Sequence, residues 1–214
     1  VLELAIQAAA MNPDWTNTVR FAWWGAEESG LVGSYYYITE LSDSEADRHL
    51  ANLNFDMVAS PNGLRFVYDG DNSTGDGYPG PNGSDVIEDL FTDYLDDADL
   101  DWRSTAFDGR SDYGPFIWTG IPAGGLFTGA EGTNSQTGQT LDPCYHQNCD
   151  TTGNLDPDLF LEMAQTGAHV TEVVAQMSSL SPSARMAPSP RELGMAPPEH
   201  HSRAEGGCGH SLKR

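Results

Sequence analysis

The stretch Phe21-Ala22-Trp23-Trp24-Gly25-Ala26-Glu27-Glu28-Ser29-Gly30-Leu31-Val32-Gly33-Ser34 constrains the fold more than any other part of the sequence. Val19 to Trp24 is an apolar, aromatic run of strand length that stops at two adjacent carboxylates. Gly30 and Gly33 then flank the start of a helical segment, 31–41, with Leu31, Tyr35 and Ile38 along one face. A buried strand that passes within a few residues into a helix belongs to a layered α/β domain. Adjacent side chains at such a strand end point in different directions. Glu27 and Glu28 can therefore serve separate tasks in one cleft, one binding a metal and the other moving a proton.

The rest of the chain repeats this alternation. Val1 to Ala10 has apolar residues at helical spacing, and Asn12-Pro13-Asp14 ends it. Residues 51–58 read as a second strand, 64–68 as a shorter third, and 102–106 and 121–127 as further short ones. Between them, 86–95 is an amphipathic helix with Ser84 or Asp85 as its cap, and a last helix runs over 157–177. The expected fold is a three-layer α/β/α sandwich with a mixed, mainly parallel central sheet. Ligands of such sheets collect at the carboxyl ends of the strands, where Glu27, Glu28 and Asp56 all fall. Residues 69–85 are dense in Asp and Gly, lack the ligand order of an EF-hand, and read as a solvated insertion. From Ser181 the composition turns to Pro, Ser and Gly with His200, His201, Cys208 and His210, and no apolar periodicity remains. A folded domain over 1–180 and a disordered tail over 181–214 are expected.

Charge narrows the partners. Of 32 acidic residues, 29 lie in residues 1–180, where five arginines and no lysine oppose them. Such a surface repels phosphate and argues against nucleic acid and anionic membrane as partners. No apolar run approaches the ~20 residues that span a bilayer. Cys144 and Cys149 flank Tyr145-His146 at a spacing that can close a small disulfide loop. A Cys/His metal site is the rival, but the only other thiol is Cys208 in the tail. The disulfide implies an oxidising compartment.

Four further segments follow the Glu-Glu stretch in order: Asn52-Leu53-Asn54-Phe55-Asp56-Met57, Gly109-Arg110-Ser111-Asp112-Tyr113-Gly114-Pro115-Phe116, Pro122-Ala123-Gly124-Gly125-Leu126-Phe127-Thr128-Gly129-Ala130 and Cys144-Tyr145-His146-Gln147-Asn148-Cys149. Together they resemble the zinc aminopeptidases of peptidase family M28, especially the secreted bacterial leucine-type enzymes, over residues 1–178. The resemblance implies two Zn2+ ions per complete enzyme. Asp56 and Glu28 would each ligate a different ion, and His146 would join Glu28. Glu27 would be the general base, and Tyr145 would donate a hydrogen bond to the oxyanion. Arg110, in the turn at Gly109, would contact substrate, while Met57 and Phe127 would belong to an apolar pocket. Tyr113 stands where many relatives have His.

The family also carries a His in an H-x-D motif and a bridging Asp ahead of the Trp-Trp-Gly-Ala-Glu-Glu segment, and neither is found in this chain. The resemblance thus implies the C-terminal two-thirds of a secreted, monomeric exopeptidase acting on peptides with large hydrophobic first residues, inactive alone. Its alternatives are a catalytically dead remnant or accessory domain of the same fold, and a single-zinc enzyme of the glutaminyl-cyclase kind.

Overall fold

The computed structural model describes residues 1–181, so the expected tail lies, beyond Ser181, outside the described residues. Four short strands form one mixed sheet: β1 (Asn52–Phe55), β2 (Phe66–Tyr68), β3 (Arg103–Thr105) and β4 (Ala123–Phe127). Their spatial order is β1-β4-β2-β3. β1 pairs parallel with β4, β2 pairs parallel with β3, and β2 meets β4 antiparallel. Six helices accompany the sheet among the described residues: α1 (Leu2–Met11), α2 (Val32–Thr39), α3 (Asp43–Ala46), α4 (Ser84–Asp97), α5 (Gly114–Trp118) and α6 (Pro157–Gln176). None is long and apolar enough to cross a membrane.

Strand side chains alternate between faces, and this places the layers. Val67 and Leu126 enter the main core with Ile87 and Phe91 of α4 and Met163 and Val170 of α6. Their neighbours Tyr68 and Ala123 point the other way, to Phe107, Tyr113 and Ile117 on the α5 side. α2 lies over α5, with Ile38 against Phe116 and Ile121. The α/β/α arrangement and the mixed sheet agree with the pattern read from the sequence. Capping also follows the usual chemistry at α6, where Asp156 accepts from the amides of Asp158 (3.0 Å) and Leu159 (3.1 Å) and Pro157 occupies the first turn.

Three expectations change. Residues 19–24 are not a buried strand: they carry no strand pairing, and Trp23 is 60% exposed. Strand propensity without a partner to supply the ladder leaves the segment irregular. The cap of α4 is Gly83, at φ 101°, and not Ser84 or Asp85. Ser84 is fully buried instead, its hydroxyl accepting from the Ala123 amide at 3.0 Å and fixing the start of β4. The 69–83 loop is anchored, not simply solvated. Asp69 is 1% exposed and accepts from the amides of Ser73 and Thr74 and the Thr74 hydroxyl, and the Gly70 amide donates to Glu88 at 2.7 Å.

Burial of Glu88, with Asp69, Asp71 and Asp89 nearby, pushes its carboxyl up to about 7 from 4.5, although the Gly70 amide works against this. Between those values the folded state keeps a proton that the unfolded chain has lost. Stability therefore falls as pH rises through this window, by about 3 kcal/mol in all. Glu88→Gln keeps an acceptor for Gly70 and removes the titration. Its melting temperature should match the parent near about pH 5 and exceed it near about pH 8. A constant difference across both pH values would show that Glu88 does not titrate in this range.

Candidate active site

Glu27 and Glu28 open a single 3₁₀ turn, Glu27–Ser29, set between Ala26 at φ 56° and Gly30 at φ 98°. The turn is closed by the Gly33 amide donating to the Gly25 carbonyl at 3.0 Å. Gly33 has to be glycine, because a Cβ there would lie 2.6 Å from that carbonyl oxygen. Asp56 follows directly on β1, and Met57, at φ 46°, turns the chain away. The Met57 carbonyl is held by the amide (2.8 Å) and hydroxyl of Thr128 beyond β4. A third piece comes from the Cys144–Cys149 disulfide, Cα atoms 5.3 Å apart, which closes the loop carrying Tyr145 and His146.

These pieces meet in a cleft of about 470 Å³. Glu27, Glu28, Asp56, Met57, Gly109, Arg110, Tyr145 and His146 all line it. His146 Nε2 lies 2.6 Å from Glu28 Oε1, and the two rings of Tyr145 and His146 stack at 3.8 Å. Ser111, in the turn ahead of α5, donates to Asp56 Oδ2 at 2.6 Å and accepts from Asn54 of β1 at 2.9 Å, so the carboxylate's orientation is set through a side chain that β1 itself holds. Arg110 pairs with Glu131 at 2.9 Å and hydrogen-bonds the Tyr145 hydroxyl. Burial, reinforced by the carboxylates of Glu28, Asp56 and Asp112, raises the Glu27 carboxyl above its usual range.

One expected site residue is elsewhere. Phe127 does not line the cleft; at the end of β4 it packs on the Tyr68–Phe107–Tyr113 cluster and against the Phe66 ring. Alternation along β4 turns it toward the interior. Other contributors went unread in the sequence. Leu31 lines the cleft, and Glu131 sits opposite Arg110. Tyr113 is fully buried, and its hydroxyl accepts from the amides of Asp108 and Gly109 and donates to Asp108 Oδ1, holding the turn that presents Arg110. Its departure from His therefore has a structural use. No sequence spacing signals Glu131, since its role depends on a fold-level juxtaposition.

Backbone strain marks the same place. Seven non-glycine residues have positive φ among those described. Asn12, Asn72, Asp99 and His146 are of types that tolerate it; the others are Ala26, Leu31 and Met57. All three of these lie at the cleft or beside Glu27, and each costs on the order of 1 kcal/mol. Such strain persists where surrounding structure over-determines it, as at functional sites.

The profile of peptidase family M28 matches residues 1–171. The chain belongs to that family. A probable leucine aminopeptidase 2 of Aspergillus oryzae is 41% identical over 228 residues, covering 99% of this M28 chain and 46% of the relative. An aminopeptidase of Pseudomonas aeruginosa is 44% identical over 179 residues, covering 79% of this chain and 33% of its own. Among solved structures, BSAP, a zinc aminopeptidase from Bacillus subtilis, superposes with a TM-score of 0.53 at 26% identity, over 71% of this chain and 33% of that one. The M28 chain thus spans less than half the length of the relatives it matches.

The donor set is of the zinc type: carboxylate oxygen and imidazole nitrogen. Glu28 and His146 converge on one point, and Asp56 stands apart with Ser111. Among the described residues, three donors gather within 4.8 Å only at Asp69, Asp71 and Glu88, outside the cleft. Donor chemistry fits zinc, while the count at Glu28 and His146 is one short of the three protein ligands usual in a catalytic site.

Proposed function

We propose that the chain carries most of the catalytic machinery of a dizinc aminopeptidase that releases large hydrophobic residues from peptide N-termini. The observation that carries this reading is the meeting of Glu27, Glu28, Asp56, Arg110, Tyr145 and His146, from four separate parts of the sequence, in one cleft. Glu28 and His146 would hold one ion and Asp56 would contribute to the other. Bound zinc would polarise the scissile carbonyl and acidify a water. Glu27, kept basic enough to accept a proton by its partly buried, carboxylate-rich setting, takes the water's proton and returns it to the leaving amine. The Tyr145 hydroxyl, held by Arg110, donates to the carbonyl oxygen as it gains charge. Met57 and Leu31 supply apolar surface for the first side chain, in place of Phe127.

With two donors at one position and one at the other among the described residues, the chain alone binds zinc weakly and turns over little substrate. Residues 1–180 constitute the peptidase portion, secreted and monomeric, with the disulfide consistent with an oxidising compartment. Zinc binding to the full chain, measured by calorimetry with Glu88→Gln present to weaken the separate carboxylate grouping, tests the ligand assignment. Both Glu28→Ala and His146→Ala should weaken binding by about ten-fold or more. Zinc affinity indifferent to both would remove the ligand assignment.

A further inference from the structure

The tripeptide Pro-Asn-Gly occurs twice, at 61–63 and at 81–83. An asparagine followed by glycine can lose its side-chain amide. The glycine nitrogen attacks the side-chain carbonyl carbon, and with no Cβ on the glycine nothing shields the approach. The attack needs a side chain free to turn, a peptide plane free to rotate and an amide nitrogen not committed elsewhere. Both places carry the same tripeptide, so tertiary structure decides which of them reacts.

At 61–63 each of these is tied down. The Asn62 side chain donates to the Thr140 carbonyl at 2.9 Å, and the Asn62 carbonyl accepts from the Asn134 side chain at 2.8 Å. The Gly63 amide bonds the Ser60 carbonyl at 2.9 Å, and a Cβ on Gly63 would lie 2.7 Å from the Thr128 carbonyl oxygen. Asn82 is the opposite case. It is exposed, and among the described residues neither its side chain nor its carbonyl has a hydrogen-bond partner. The Gly83 amide makes one long contact, 3.2 Å to Asp85 Oδ1. The plane between Asn82 and Gly83 can turn at the cost of that contact alone, beside a carboxylate placed to take the amide proton.

We propose that Asn82 is a site of spontaneous modification, converting to aspartate and isoaspartate, while Asn62 is protected by the fold. The Gly83 nitrogen bonds the Asn82 side-chain carbonyl carbon. The proton it gives up passes by way of the Asp85 carboxylate to the side-chain nitrogen, which leaves as ammonia. Water then opens the succinimide at either carbonyl. One opening gives aspartate, a carboxylate ahead of α4 that the helix N-terminus favours. The other gives isoaspartate, in which the main chain runs through the former side chain and is longer by a methylene. That extra length falls where there is little slack. Gly83 caps α4 at φ 101°, its carbonyl accepts from the Ile87 amide at 3.1 Å, and a Cβ on it would meet Leu180 at 2.8 Å. Ser84, next to it, is fully buried with its hydroxyl on the Ala123 amide. The isoaspartyl form therefore loosens the first turn of α4 and the start of β4 together, and position 82 acts as a clock on the age of the folded protein.

The test ages the full chain in mildly alkaline buffer at physiological temperature and maps its peptides by mass spectrometry, with isoaspartyl methyltransferase to count isoaspartate. In the folded protein the peptide holding Asn82 should convert faster than the one holding Asn62 by about ten-fold or more, the protection that local structure confers. In denaturant the two should convert alike. Equal conversion in the folded chain, faster conversion at Asn62, survival of both, or a difference that persists in denaturant would each overturn the proposal. Hydrogen exchange reads the consequence. The Ile87 and Ala123 amides of the isoaspartyl fraction should exchange faster by about ten-fold or more, while the Asn82→Asp variant matches the parent. Unchanged exchange in that fraction would overturn the loosening. None of these readings depends on zinc or hydrolysis.

Discussion

Glu27→Gln should lower leucine-anilide hydrolysis by about 10²- to 10⁴-fold while leaving zinc content at the parental level, the usual cost of losing a general base. Glu28→Gln should lose metal and activity together. The assay needs an active preparation, which can be made by joining the chain to the part of the Aspergillus oryzae relative that it does not match. The two neighbouring carboxylates separate cleanly in geometry. Glu28 is committed to His146 at 2.6 Å, whereas Glu27 stands among three other carboxylates and is driven toward its protonated form by burial. A Glu27→Gln enzyme that lost zinc in proportion to activity would make Glu27 a ligand and end the division of roles.

Gly125→Ala should be the most damaging small substitution in the sheet. A Cβ at Gly125 would lie 1.9 Å from the Asn54 carbonyl oxygen, a backbone atom of the paired strand that cannot rotate away. Relief requires pulling β1 off β4, with a loss of about 3–5 kcal/mol and a fall in melting temperature of roughly 10 °C. Gly153→Ala, where the nearest atom is 3.6 Å away, is the control and should melt within about 2 °C of the parent. Because β1 delivers Asp56 and β4 leads to Thr128, separating the strands should also loosen the cleft. Equal melting of the two variants would mean that the sheet is far more compliant than its spacing implies.

Much of this molecule could be read from the sequence wherever local pattern and tertiary packing agree. The amphipathic helix near 86–95, the long helix from Pro157 and the strand ending at Asp56 are such places, since each carries its own periodicity. Val19 to Trp24 is the informative failure. Its composition suits a strand, but strand formation is a pairwise event, and the segment's propensity says nothing about whether a neighbour is present. The site divides likewise. Glu27, Glu28, Asp56, Arg110, Tyr145 and His146 sit in ordered motifs, and all six line one cleft. Ser111, Tyr113 and Glu131 act through contacts across 55, 5 and 21 residues of chain, to Asp56, Asp108 and Arg110. Phe127 shows the converse: its position in a motif did not reveal which way its side chain faces.

The three strained left-handed residues around the cleft bear on how this protein would evolve under heat. Glycine or asparagine at Ala26 or Met57 would relieve torsional cost, whereas at Leu31 the loss of a buried core side chain would outweigh the relief. A library screened only for thermal tolerance should therefore collect changes at Ala26 and Met57 early, and the change at Met57 would displace a group that lines the cleft. Hardening the protein and keeping its chemistry are opposed demands at this corner, so stabilisation is better sought on the far side of the sheet, along the outer surface of α4 and α6.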